Sequence, residues 1–216
     1  ILEVDPKDAR VLQKVGEAYQ KKGDNDQAAE YFIKVAELHS ADGFALRAVA
    51  VYKQVLKLTP NRVEVNLKLA ELHQQLGLMS DALAQLQIVS NYYEKTNNNA
   101  AILDLTRRMV DLDPDNVANR IKLAELYARD NLVQEAVSEF QRAADYLKRN
   151  NRIDDYIKVA ERLLFHDANR LDHLIWWAVC QPELAGRDPA GLTKEARRLG
   201  FSGTLREQQD VVISGP

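Results

Sequence analysis

Three proline-bearing dipeptides set the frame of this chain: Asp5-Pro6, Thr59-Pro60 and Asp113-Pro114 each lie 54 residues from the next. A fourth step lands on Asp167-Ala168, where the proline is lost and the aspartate kept. Other positions keep the same shift. Leu67-Lys68-Leu69-Ala70-Glu71-Leu72 returns as Ile121-Lys122-Leu123-Ala124-Glu125-Leu126, and Ala28, Ala82 and Ala136 coincide, as do Phe32, Leu86 and Phe140. A fixed internal period of this length is the mark of a repeat architecture, and it constrains the fold more than any single motif does.

Within one period the apolar residues recur at helical spacing. The first unit predicts a helix from about Ala9 to Lys22 with Val11, Leu12, Val15, Ala18 and Tyr19 facing inward. A second runs from about Asp26 to Ser40 with Ala28, Phe32, Val35, Ala36 and His39, and a third from about Phe44 to Leu58 with Ala48, Val49, Tyr52, Val55 and Leu56. The turns carry their own chemistry. Gly23, Gly77 and Asn131 share one turn position and Gly43, Asn97 and Asn151 the other. Glycine and asparagine tolerate the left-handed backbone that ends many helices. The third turn holds the proline, which cannot continue a helix and restricts the residue before it.

The run Leu12, Val15, Gly16, Tyr19, Gly23, Ala28, Phe32 and Val35 resembles the tetratricopeptide repeat, a helix-turn-helix unit of ~34 residues. A second match begins inside the first, with Phe32, Val35, Ala36, His39, Gly43, Ala48, Tyr52, Val55 and Pro60 in the same order. The middle helix thus serves as the second helix of one repeat and the first of the next, and the period is 54 residues instead of the family's usual length. The fold class expected is an all-α, tetratricopeptide-like α-solenoid. The repeat array should span residues 1–180, with units of about 5–58, 59–112 and 113–166 and a partial fourth from 167. Residues 181–216 should form a divergent C-terminal cap helix and tail, because 171–216 hold five of the nine glycines, three of the six prolines, both tryptophans and the one cysteine. Leu174, Trp177 and Ala178 fall in register for a tenth helix from near Asp172. Pro182 stops it, and a further helix is expected over about Pro189 to Leu199.

Composition excludes several function classes. A formal charge of −3 and a pI near 5.9 give no electrostatic case for nucleic acid. No stretch reaches the ~18 uninterrupted apolar residues of a membrane helix, so no membrane partner is expected. Cys180 alone builds neither an internal disulfide nor a thiolate metal cage, which fits a reducing setting and leads to a cytoplasmic expectation. Asp111, Asp113 and Asp115 open like a calcium loop, but Asn116 and Lys122 stand where the loop needs glycine and a bidentate glutamate. His39, His73, His166 and His173 include no pair spaced for a local metal site; His39 and His73 read as core fillers. No phosphate loop or nucleophile motif is present. No enzyme, cofactor or metal is expected.

The resemblance instead implies a scaffold or adaptor that holds a peptide or helix of another protein on its curved surface. Two other readings stand beside it: a spacer array in a longer protein, and a regulatory module whose own tail, residues 201–216, occupies the groove. The candidate partner-binding residues are Arg10, Gln13, Glu17 and Gln20 on the first helix, with Trp176 and Trp177 near the C-terminus. One family mode clamps a C-terminal carboxylate with lysine and asparagine on successive first helices; Gln13 and Glu17 occupy those positions here and do not support it. Lys14/Glu17, Lys68/Glu71 and Lys122/Glu125 read as recurring surface ion pairs. Leu2 to Pro6 aligns with the last turn of a third helix, so the chain reads as a piece of a longer array. Its open apolar edge at Val11, Val15 and Tyr19 is expected to mediate homodimer formation through the first two helices.

Overall fold

The computed structural model describes residues 8–167. Among them the secondary structure is entirely helical: α1 (Ala9–Lys22), α2 (Asn25–Ala41), α3 (Ala45–Leu58), α4 (Val63–Gln75), α5 (Met79–Lys95), α6 (Asn99–Leu112), α7 (Val117–Arg129), α8 (Val133–Arg149) and α9 (Ile153–His166). α1, α4 and α7 begin at residues 9, 63 and 117, an interval of 54 each time, and the other two helix classes keep the same interval. The first helix has the expected bounds. The second is longer by one residue at each end, and the third starts one residue later, with Phe44 as its N-cap. Trp176, Trp177 and the helices expected near Asp172 and Pro189 lie outside the described residues.

Local chemistry starts and stops these helices. Asp8 accepts from the Arg10 amide at 2.8 Å, Asp24 from Gln27 at 3.1 Å and Asn116 from Asn119 at 3.1 Å, each satisfying an amide that has no partner inside its own helix. Two of the three turns in each period close with a left-handed residue, and these residues are the six glycines and asparagines at the shared turn positions. Asn97 (φ 54°) and Asn151 (φ 53°) hold a conformation that costs most side chains ~1 kcal/mol or more. Beyond each of the six, the next amide reaches back to a carbonyl five residues earlier. Asp24 N–H to Tyr19 O at 3.0 Å and Arg152 N–H to Leu147 O at 2.9 Å are two of these bonds. They close a helix terminus by the Schellman pattern and turn the chain tightly into the next helix.

The helices fall into two compact units, 1–105 and 106–216, with the division inside α6. In the first unit, successive helices pack in order: α1 on α2, α2 on α3, α3 on α4 and α4 on α5. Its core joins Ala28, Ala29, Phe32 and Ala36 of α2 to Ala48, Tyr52 and Val55 of α3, and to Val65, Leu69 and Leu72 of α4. In the second unit α8 packs on α7 and α9, and Phe140, Ala143, Ala144 and Leu147 meet Ala124, Tyr156, Val159, Ala160, Leu163 and Leu164. This nearest-neighbour order is that of an all-α helical-repeat solenoid. The small residues on α2 and α8 allow close helix approach, while each fully buried large side chain contributes ~1.5–3 kcal/mol. The tightest approach is at Gly16 of α1, where an added Cβ would stand 2.7 Å from Cε1 of Phe32.

Some inward assignments on α1 change. Leu12 and Gly16 are its buried residues; Val11, Val15 and Tyr19 are half-buried and Ala18 is exposed. The helical period marks an apolar stripe, and among the described helices α2 is the one that packs on α1. His73 is buried at 2% exposure, as a core filler should be, and half-buried His39 lies edge-on to Phe44.

Candidate binding groove

In the second unit, the face shared by α7 and α9 forms a groove of about 640 Å³. One wall is the turn before α7 and its first two turns, from Asp113 to Ile121. The other is α9, with Arg152, Asp155, Lys158, Val159 and Arg162; Tyr146 of α8 also lines it. Val117, Ile121 and Val159 give the groove an apolar lining set among charges.

Those charges are unevenly committed. Arg152 donates from Nε to Asp155 at 3.0 Å, Arg162 pairs with Glu125, and Asn116 donates to Asp113 at 3.3 Å. Among the described residues Lys158 and Asp115 have no ion-pair partner. The wall is held rigid from behind. Arg120 donates from Nε to the Pro114 carbonyl at 2.6 Å and from Nη1 to Glu139 at 2.5 Å, while Arg142 reaches the other Glu139 oxygen at 3.0 Å. The Arg120 and Glu139 side chains are only 12% and 10% exposed, so this network ties the start of α7 to α8. Removing one partner would leave a poorly solvated charge.

The candidate residues on α1 lie on one face of that helix, since steps of 3, 4 and 3 residues bring Arg10, Gln13, Glu17 and Gln20 into one stripe. Arg10, Glu17 and Gln20 are exposed and Gln13 is half-buried. Gln13 donates from Nε2 to Glu17 at 3.1 Å, and Arg10 stands 4.0 Å from Asp8. Two periods on, these positions are Ala118, Ile121, Glu125 and Ala128. Ala118 and Ile121 line the groove, and Glu125 holds the groove residue Arg162. The register also gives the third-helix positions of the first repeat: Arg152 and Asp155 correspond to Phe44 and Arg47. Phe44 is 49% exposed, with the Arg47 guanidinium 4.8 Å above its ring. The sequence reading missed Phe44, Arg47, Tyr146 and Lys158. Periodicity separates buried from exposed faces but does not say which exposed faces share a groove. The Lys14/Glu17 pair is not formed, whereas Lys68 and Glu71 meet at 3.1 Å.

Among the described residues no group of three His, Cys, Asp or Glu side chains is placed to hold a metal ion, and no helix is long and apolar enough to cross a membrane. Burial, with Glu37 and Glu71 nearby, pushes the Tyr52 hydroxyl up to about 12, but it lies inside the core and not in a cleft. Its role is packing.

Two family models match the chain, both described as tetratricopeptide repeat, over residues 9–42 and 40–103. No curated protein sequence matches. Among solved structures, the chain is similar to YrrB, titled a TPR protein with an unusual peptide-binding site. That match is 18% identical, covers 84% of this chain and 96% of that one, and has a TM-score of 0.37. It is also similar to MamA, at 17% identity over 85% of this chain and 97% of that one, with a TM-score of 0.37. The TPR2AB-domain:pHSP90-complex of yeast Sti1 matches at 11% identity over 88% and 96%, with a TM-score of 0.35. Residues 9–103 therefore match the tetratricopeptide-repeat family, and the helix pattern and left-handed turn residues of that segment recur at the same period through residue 166.

Proposed function

We propose that this chain is a non-enzymatic protein-interaction module that binds an extended or helical segment of a partner along the face formed by its first-class and third-class helices, the first and third of one 54-residue period, as α7 and α9 are. The observation that carries this reading is the α7/α9 groove, where apolar Val117, Ile121 and Val159 lie beside Lys158 and Asp115, two charges with no ion-pair partner among the described residues. An apolar anchor flanked by a carboxylate would complete Lys158 and cover the apolar lining, and neither group requires the fold to open. Helical-repeat proteins use such surfaces because rigid neighbours present many contacts at little ordering cost. In the first repeat the corresponding positions hold Arg10, Gln13, Phe44 and Arg47, an aromatic and cationic set where the α7/α9 groove has Ala118, Ile121, Arg152 and Asp155.

The test is selection from a displayed peptide library against the purified chain, followed by affinity measurement on Lys158→Glu. Selected peptides should carry an acidic residue next to an apolar one and lose at least about tenfold in affinity on that substitution, worth ~1.4 kcal/mol. Lys95→Glu, at an exposed helix end and not among the residues lining the groove, should change little. A library that yields no binder, or binders indifferent to Lys158, would refute the reading.

A further inference from the structure

Four of the large apolar side chains exposed among the described residues belong to α5 or its N-cap: Leu78, Met79, Ile88 and Tyr92. Two of them share a stripe with three further exposed residues. Asp81, Ala84, Ile88, Tyr92 and Lys95 follow one another at steps of 3, 4, 4 and 3 residues, which keeps them on one side of the helix. Ile88 and Tyr92 are 49% and 44% exposed, and the Tyr92 ring is braced edge-on by Tyr93 at 5.8 Å. The repeat does not require an apolar residue here. At the position of Ile88, the helices one period away on either side, α2 and α8, carry exposed Lys34 and Arg142. α5 thus replaces a solvated cation with a side chain that adds nothing to the core and joins Ala84 and Tyr92 in an apolar strip.

Charge identifies the occupant. The strip has an acid at one end, Asp81, and a base at the other, Lys95, and neither has an ion-pair partner among the described residues. The flank beside it is neutral, where Gln87 donates to Asn91 at 2.8 Å. The five positions are symmetric about Ile88: Asp81 and Lys95 each lie seven residues from it, and Ala84 and Tyr92 each lie four. A second α5 laid antiparallel across the strip therefore sets Ile88 on Ile88, Ala84 against Tyr92, and Asp81 against Lys95 at both ends. Small faces large, and two opposite-charge pairs about 21 Å apart along the axis bracket the apolar centre. Laid parallel, the same strip would set Asp81 against Asp81 and Lys95 against Lys95, which repel. A surface that complements itself in the antiparallel sense is what an isologous twofold contact requires.

We propose that α5 pairs antiparallel with α5 of a second copy of this chain, with Ile88 at the twofold axis and Asp81 facing Lys95 of the other copy at each end. The strip contains no residue of the α7/α9 groove, so this contact and the peptide-binding reading can fail separately. It also places the homodimer on α5, and not on the edge expected from the sequence at Val11, Val15 and Tyr19.

Sedimentation equilibrium of the full chain tests it. One helix pair covers less than the ~1,200–2,000 Å² of a standard interface, so a dissociation constant on the order of 100 µM is expected and the measurement extends to about 1 mM. Asp81→Lys and Lys95→Glu should each weaken dimerisation at least tenfold, since each apposes like charges at both ends. An equimolar mixture of these two variants should dimerise at least as tightly as wild type, because both ends then join opposite charges. Ile88→Lys, which installs the residue α2 carries at this position, should give a monomer with unchanged helical circular dichroism. A wild type that stays monomeric, a mixture that stays monomeric, or a dimer that survives Ile88→Lys would overturn the proposal. A dimer dissociated by Val15→Asp but not by Ile88→Lys would do so by placing the contact on α1.

Discussion

Replacing Gly16 by alanine sets two known effects against each other at one atom. Alanine is favoured over glycine in a helix interior by ~1 kcal/mol, so on an open helix the change would stabilise. Here the new Cβ stands 2.7, 2.9 and 3.1 Å from three ring atoms of Phe32, which is fully buried and has no free volume to retreat into. Forcing an extra carbon into a packed site costs ~1–3 kcal/mol. The steric effect should win, leaving a net destabilisation of ~1–2 kcal/mol. The repeat supplies the control. One period on, the pair is Ala70 and Leu86, and two periods on it is Ala124 and Phe140, all of them buried. A methyl opposite a phenyl ring is therefore attainable after a small increase in helix separation, which caps the cost. A methyl opposite leucine requires no such shift. In a Phe32→Leu background, Gly16→Ala should become favourable by ~1 kcal/mol, a coupling of ~2 kcal/mol between the two sites. Chemical denaturation of the four proteins in the cycle, with hydrogen exchange of the α1 and α2 amides as a local readout, measures it. A Gly16→Ala chain that is more stable than wild type would show that α1 and α2 are not this close.

Asn97→Gly and Asn151→Gly should be neutral or mildly stabilising, whereas Asn97→Val should cost ~1 kcal/mol or more because a β-branched residue resists a φ of 54°; equilibrium denaturation decides. Tyr52 has a folded pKa of about 12 against an ordinary 10.0, so its contribution is fully present below pH 10 and is lost as pH rises toward 12. That loss is at most about 3 kcal/mol, and stability profiles of wild type and Tyr52→Phe should diverge in that window and coincide in shape below it. Arg120→Ala should cost ~2 kcal/mol by leaving Glu139 with the solvent-facing Arg142 alone. In an Arg120→Ala/Glu139→Ala double mutant part of that cost should return, as denaturation midpoints would show.

The helices and turns were legible because they are written in local chemistry that recurs. Six left-handed positions, two aspartate caps and the proline turns mark boundaries without reference to anything distant in the chain. The Gly16 mark was also visible, but its reason was not, since Phe32 lies across an interhelical contact. Cross-helix polar pairs were harder still. Arg120 and Glu139 correspond to Asn66 and Gln85 in the second repeat and to Leu12 and Tyr31 in the first, so no period announces the pair. In the first repeat that facing site carries instead a ring stack of Tyr19 on Tyr31, 5.5 Å apart. The stripe of Arg10, Gln13, Glu17 and Gln20 was legible as one helical face. Its companions on the third-class helix depend on which solvent faces converge, and that is a property of tertiary packing.

The central claim is that a partner segment lies along the first-class and third-class helices without rearranging the core. Methyl-resolved NMR of the chain, titrated with a library-selected peptide, tests it most directly. The account predicts shifts at Val117, Ile121 and Val159 that saturate together, with the buried methyls of Leu147 and Leu163 unmoved. Saturable shifts confined to other helices, or a concerted change at Leu147 and Leu163, would contradict it.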